Sequence, residues 1–209
     1  MKVVLYGATG MIGSRILQEL VARGHSVAAV MRNTGKVQAS GSVTVEQGDV
    51  LDPKSVAATA KGSDAAISAY APGFETLDNL VLATKSMIAG LQEAGVRRFI
   101  MVGGAGSLDL APGVHLVDTP EFPAAWKGIA LAHRDALNVL KGADLDWTSL
   151  SPAALIEPGI RTGKFRLGQN QLIVDDKGES KISAEDYAVA LVDELEKNEH
   201  VRQRFTLGY

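Results

Sequence analysis

Short apolar runs alternate with longer stretches of helical period along this chain. Lys2–Tyr6, Ser26–Met31, Val43–Gln47, Asp64–Ser68, Arg98–Val102 and Trp147–Leu150 are rich in aliphatic residues. They are short enough to read as strands covered on both faces. Between them, apolar residues recur every three or four positions, the signature of helices with one buried side. Met11–Arg23 carries Ile12, Ile16, Leu17 and Leu20 on one side and closes at Gly24. Asp52-Pro53 opens a short helix with a capping carboxylate and a proline in its first turn. Thr76–Ala94 aligns Leu77, Leu80, Val81, Thr84, Ile88 and Leu91, ends at Gly95, and is followed later by a helix over Ala124–Lys141. Residues 103–123, rich in glycine and proline, read as a long functional loop. Beyond Pro152 the pattern weakens. Gly163–Leu167 and Gln171–Val174 are predicted as short strands and Asp175–Gly178 as a turn. Ser183-Ala184-Glu185-Asp186 opens a last helix to about Lys197, and Arg204–Leu207 is a closing strand.

Strands joined by crossover helices require a mostly parallel sheet with helices on both faces. The fold class is therefore α/β, a single doubly wound Rossmann-type domain over residues 1–209. Residues 152–182 form a small C-terminal substrate region. Ligands in such folds sit at the carboxyl ends of the strands, so the loops after the strands are expected to build the site.

Composition narrows the function. A net charge of −3 gives no electrostatic reason to expect nucleic acid or an anionic membrane as partner. Arg97-Arg98 is the one adjacent Lys/Arg pair, read as a solvated strand end. The absence of cysteine removes disulfides and thiolate chemistry, and fits a reducing compartment. With no targeting segment read at the N-terminus, the expected location is the cytoplasm, as monomer or homodimer. The histidines His25, His115, His133 and His200 lack paired ligand spacing, so no metal is expected.

The chemistry begins at Gly7, Gly10 and Gly13, spaced by three between the first strand and the first helix. Gly7 permits a tight turn, Gly10 lets a phosphate reach the backbone, and Gly13 lets the helix pack against the sheet. The first helical amides then face a diphosphate. The spacing points to the short-chain dehydrogenase/reductase branch of dinucleotide binders. Arg32 stands where an acidic residue would hold the ribose of NAD. A guanidinium there pairs with a 2′-phosphate and favours NADP(H) over NAD(H), the alternative being an ordinary surface arginine. The expected cofactor contacts are Gly7, Thr9, Gly10, Met11 and Ile12 in the first turn, and Arg32 and Asn33 after the second strand. Asp49 and Val50 follow the third strand, Ala69, Tyr70 and Ala71 the fourth, Gly103 and Gly104 the fifth, and Pro152 and Ala153 the sixth. Asp49 has two readings, acceptor for the adenine amino group or helix-capping carboxylate.

The chain resembles the atypical short-chain dehydrogenase/reductases grouped as NADH-flavin reductases. The stretches that carry the likeness are Tyr6–Gly13, Gln47–Val50, Trp147–Ala154 and Ile182–Ala188. More distantly it is similar to the biliverdin-IXβ reductases, which reduce flavins with NADPH. The superfamily's usual proton donor is a tyrosine with a lysine four residues later. None of Tyr6, Tyr70, Tyr187 and Tyr209 has that lysine. The resemblance also implies a serine after the fifth strand. Its place is taken by Gly104, with Ser107 nearby but not aligned.

A flavin or quinone tolerates this loss, because hydride passes between stacked rings and water supplies the proton. The expected function is an NADPH-dependent oxidoreductase acting on a flavin-like or quinone-like small molecule, with FMN or FAD as a substrate. The alternatives are a non-catalytic NADP(H) sensor that binds a partner protein, and a dedicated reductase or isomerase for one metabolite. His133, which by the resemblance matches a histidine near the flavin site, is either an acid or a core residue. The expected substrate contacts are Trp126, Lys127, Ser107 and Leu155. Trp126 either stacks on a flat substrate or packs the loop, and Lys127 either touches the ribose or is exposed. Arg161, Lys164 and Arg166 either receive an anionic substrate or edge a solvated hairpin.

Overall fold

The computed structural model describes residues 1–36 and 38–209, with the Lys36 side chain left aside. Its strands are β1 Lys2–Tyr6, β2 Ser26–Met31, β3 Val43–Gln47, β4 Ala65–Ser68, β5 Arg98–Val102, β6 Asp109–Ala111 and β7 Val114–His115. They continue with β8 Asp146–Ser151, β9 Leu155–Glu157, β10 Arg166–Gly168, β11 Lys181–Ser183 and β12 Gln203–Gly208. Its helices are α1 Met11–Ala22, α2 Pro53–Ala60, α3 Asn79–Ala94, α4 Ala124–Lys141 and α5 Ala184–Lys197.

One eight-stranded sheet has the order β10-β12-β8-β5-β4-β1-β2-β3. It is parallel except for β10, which runs antiparallel to β12 at the edge. Strand β1 pairs with β2 on one side and β4 on the other, in registers Val4↔Ala28 and Val4↔Ala66. The winding reverses there, and a crevice opens above the strand ends. The alternation of side chains sorts the core into two layers. Val3, Leu5, Ile67, Ile100 and Leu150 face α1 and α5 together with Ile16, Leu20, Tyr187 and Leu191. Val4, Tyr6, Ala66, Phe99 and Met101 face α2, α3 and α4 together with Val56, Leu80, Met87, Leu91 and Leu137. Among the described residues no helix is long and apolar enough to cross a membrane.

The helix ends follow the sequence signals. The Asp52 carboxylate accepts from the Lys54 amide at 3.0 Å, and Ser183 Oγ accepts from the Asp186 amide at 3.0 Å. Gly95 closes α3 in the left-handed region at φ 74°. α3 begins three residues later than the apolar period suggests, because Thr76 and Asn79 form turns before it. The loop 103–123 is partly ordered by the β6–β7 hairpin and two short 3-10 turns.

The region after Pro152 departs most from expectation. The predicted strand at Gly163–Leu167 is shifted to β10, and Gln171 makes only an isolated bridge to Asp109. Two strands outside the predicted set, β9 and β11, pair with each other in parallel, away from the main sheet. Asp186 organises this region from the helix. Its carboxylate accepts from the Thr162 and Gly163 amides, both at 2.8 Å, from Thr162 Oγ1 at 2.6 Å and from the Tyr209 hydroxyl at 2.8 Å.

Arg98 is not a solvated strand end. Only Arg97 is exposed; Arg98 is 9% exposed and donates to Glu194 Oε1 at 2.7 Å and Thr148 Oγ1 at 2.7 Å. Glu194 also accepts from the His200 amide at 3.1 Å and contacts the His200 ring at 2.7 Å. This pair ties α5 to β5 and β8. Replacing Glu194 by Ala leaves a buried guanidinium without its counter-charge, which costs about 3–5 kcal/mol. Chemical denaturation of Glu194→Ala should show a loss of that size, whereas truncating the exposed Arg97 should leave the midpoint nearly unchanged.

Candidate functional site

Gly7 takes φ 85°, and a Cβ there would lie 2.4 Å from the Ala69 carbonyl oxygen. A Cβ at Gly13 would lie 2.0 Å from the Gly7 carbonyl oxygen. The turn and α1 are thus wedged against the end of β4. Gly10 differs. The nearest protein atom to a Cβ there is the Gly7 carbonyl oxygen at 3.5 Å, an ordinary contact. The space left by its missing side chain opens to the cleft. No side chain caps α1, and no acidic residue stands in its first turn. Its free amides and positive dipole end therefore meet the cleft undiminished, as an anion site requires.

Two cavities share the wall formed by Gly10, Ala69, Tyr70 and Ala71. The smaller, about 230 Å³, is lined by Gly7, Thr9, Arg32, Gly48, Asp49, Val50 and Leu51 among others. The larger, about 590 Å³, continues over the ends of β4, β5 and β8 under the 103–123 loop and α4. Tyr70 stands at the junction. Burial pushes its phenol up, the Arg32 charge pulls it down and the Asp49 charge pushes it up again, so both groups act on the same side of the cleft. Asp49 is fixed by a local turn, its Oδ1 accepting from the Leu51 amide at 2.9 Å, while it lines the smaller cavity. The helix-capping role falls to Asp52 instead.

Most expected cofactor contacts converge here. Met11, Ile12, Gly103, Gly104, Pro152 and Ala153 line the larger cavity, and Val50 the smaller. Asn33 lines neither; its Oδ1 accepts from the Gly35 amide at 3.2 Å, which turns it into the loop. On the substrate side, Trp126 and Leu155 line the larger cavity. Ser107 does not. It is buried, with its Oγ and carbonyl accepting from Arg204 Nη1 at 3.1 and 2.9 Å. Lys127 is exposed and does not line the wall. The C-terminal contribution narrows from residues 152–182 to Pro152–Ile156. The basic cluster disperses: Arg161 chelates Glu19 at 2.9 and 2.8 Å, and Arg166 donates to the Val174 and Tyr209 carbonyls. Leu116, Glu121, Phe122 and Ile129 also line the larger cavity. The glycine- and proline-rich composition marked that loop as functional without singling out those side chains.

Of the tyrosines, Tyr70 lines both cavities, while Tyr6 and Tyr187 are buried in the core. Tyr6 is buried with its hydroxyl 3.0 Å from Thr59 Oγ1, and burial pushes it up to about 12. The Tyr187 hydroxyl donates to the Leu150 carbonyl at 2.6 Å, the same oxygen that accepts from the Gly103 amide at 2.8 Å. Tyr187 thus braces the floor where β5 and β8 end. His133 reaches the cavity from α4, packed so tightly that a Cβ at Gly104 would lie 2.7 Å from His133 Cβ. Its Nδ1 is buried without a protein partner, and burial lowers its pKa to about 4. Near neutral pH it is therefore an uncharged imidazole.

The profile of the NAD(P)H-binding family matches residues 7–198, from the first glycine of the turn to the end of α5. The chain belongs to that family. It is 43% identical over 213 residues to the uncharacterised protein YwnB of Bacillus subtilis (strain 168), covering 99% of this chain and 98% of that one. A Burkholderia pseudomallei structure provisionally called an exported protein is 52% identical, with TM-score 0.92 and full coverage of both chains. A Streptococcus pneumoniae TIGR4 structure provisionally called an NADH-flavin reductase is 38% identical, with TM-score 0.86, covering 100% of this chain and 99% of that one. The uncapped helix end and the Gly10 opening fit the diphosphate of such a cofactor.

Two measurements check this geometry. Gly10→Ala should fold normally yet lose at least tenfold in NADP(H) affinity by calorimetry, whereas Gly13→Ala should unfold at markedly lower denaturant. His133 carries a pH signature. Its ring takes a proton near pH 6.5 when unfolded and near pH 4 when folded. Between those values the unfolded chain holds more protons, so stability rises with pH through the window and falls on acidification, by at most about 3 kcal/mol. His133→Leu should flatten that part of the stability–pH curve in urea titrations.

Proposed function

We propose that this protein is an NADPH-dependent reductase of flavin-like or quinone-like acceptors. The observation that carries the reading is a dinucleotide cleft continuous with a large apolar cavity whose wall lacks the tyrosine–lysine pair needed to protonate a carbonyl. When bound, the cofactor supplies a hydride; the acceptor takes that hydride and one proton from water, and the nicotinamide is left oxidised. The chain's residues bind and orient. The α1 amides and the space at Gly10 hold the diphosphate, and Arg32 pairs with the 2′-phosphate. Small residues at Gly103, Gly104 and Ala153 form a floor on which a flat ring lies, with Tyr187 bracing it from below. The 103–123 loop and α4 roof the cavity against water. Catalysis on this reading is proximity and orientation. The Streptococcus pneumoniae relative's description supports the same class of reaction. A cytoplasmic protein, monomeric or homodimeric and acting on a small molecule, is the form it takes.

The missing acid also favours a second reading, a non-catalytic NADP(H) sensor. Mixing the protein with NADPH and lumiflavin or menadione and following nicotinamide absorbance separates the two. Turnover above the uncatalysed rate supports the reductase; tight cofactor binding with no turnover supports the sensor. Arg32→Glu should cut NADPH affinity by roughly 10- to 100-fold, the worth of a charge-assisted pair at about 1.5–3 kcal/mol, while sparing NADH. Equal losses for both cofactors would remove Arg32 from the 2′-phosphate.

A further inference from the structure

We infer that the larger cavity takes a flat acceptor without negative charge, stacked on Trp126, and that it discriminates against phosphorylated or carboxylated acceptors. This rests on the reductase reading above and names its substrate class. The ionisable side chains among the described residues of that wall are Tyr70, Glu121 and His133; none is lysine or arginine. With His133 neutral, the formal charge on the wall is the Glu121 carboxylate, of the same sign as a phosphate. An anion entering here loses its hydration without gaining a counter-charge.

Three nearby arginines are committed elsewhere, and Lys127, next to Trp126, is exposed and does not line the wall. Arg134 lies 3.8 Å from Asp118 and 3.7 Å from Asp135, Arg161 is held by Glu19, and Arg204 donates to Ser107 and Asn170. Two helix ends approach the cavity. That of α1 serves the cofactor diphosphate, and the first residues of α4, Ala124 and Ala125, do not line the wall.

The shape argues for a plane. Ala71, Gly103, Gly104, Ala130, Ala153 and Ala154 give the wall little relief. Trp126, 55% exposed, overhangs it from the first turn of α4. Its ring is propped by Phe74, itself 62% exposed, with centroids 5.6 Å apart and planes tilted by 59°. A tilted contact of this kind leaves the indole face free for a second, stacked partner. A flat guest in the cavity would cover the exposed indole of Trp126.

Riboflavin and FMN share one ring and differ by a phosphate, so they isolate the charge. Their binding to the NADP⁺-saturated protein, by quenching of flavin fluorescence, is to be measured beside NADPH oxidation with each. Riboflavin should bind at least about tenfold more tightly than FMN, and Glu121→Lys should narrow that gap chiefly by tightening FMN. Trp126→Ala should weaken riboflavin binding by roughly tenfold. Equal affinities, or no binding of riboflavin, would overturn the inference. Selective riboflavin binding without NADPH oxidation would leave the substrate class standing and remove the hydride-transfer reading. Oxidation with both flavins at equal affinity would do the reverse.

Discussion

The Ala69 carbonyl and the α1 backbone close on Gly7 from two sides, so tightly that neither Gly7 nor Gly13 has room for a Cβ. That wedge sets the angle at which α1 leaves the sheet and fixes the end of β4 beside it; Ala69 itself donates to the Tyr6 carbonyl at 2.8 Å. With the two flanking glycines jammed, the middle one is left over open space, at the tip of a helix without a cap. An anion site arises from backbone alone, without a single cationic side chain in the turn. The position of every other cleft residue is measured from this point, since Gly10, Ala69, Tyr70 and Ala71 form the wall common to both cavities.

From that wall the cleft changes character in two directions. Toward β2 and β3 it is small and polar, with Arg32 and Asp49 near enough to act on the Tyr70 phenol. Toward β5, β8 and α4 it is large and lined by glycine, alanine and aliphatic groups. The doubly wound topology explains the contrast. The β2 and β3 ends belong to the first half of the sheet, where Arg32, Asp49 and Val50 line the smaller cavity. The β5 and β8 ends are roofed by the 103–123 connection and an amphipathic helix. A dinucleotide spans such a boundary naturally, with its charged half in the polar part and its ring at the threshold of the apolar one.

The sequence made the parallel core legible because its strands are buried on both faces, leaving apolar runs bounded by turn residues. β1, β2, β3 and β5 fall where the pattern put them. β9 and β11 escaped because each is three residues long, partly exposed and paired outside the sheet, so neither alternation nor hydrophobicity marks them. Arg98 misled for a related reason: a charged residue at a strand start reads as solvated, and its partner Glu194 lies far along the chain. At the site, glycine spacing was informative because it reports backbone, whereas side-chain direction was not. Asn33, Ser107 and Lys127 are near the cleft in sequence, yet a local turn, an arginine clamp and solvent claim them.

Gly104 and His133 are best understood together. The resemblance implies a serine after β5, but here any side chain at Gly104 would collide with the His133 Cβ, so the missing hydroxyl and the closely seated ring are one packing solution. Bringing α4 that close buries the imidazole and lowers its pKa to about 4, so the ring is uncharged near neutral pH. What remains is a wall that, among the described residues, carries no lysine or arginine and is built largely of glycine, alanine and other apolar groups. Such a wall suits the chemistry proposed above, which needs only two stacked rings and solvent for its proton. The uncharged imidazole and the bare floor at Gly104 are therefore one structural fact, set by how closely α4 packs on the end of β5.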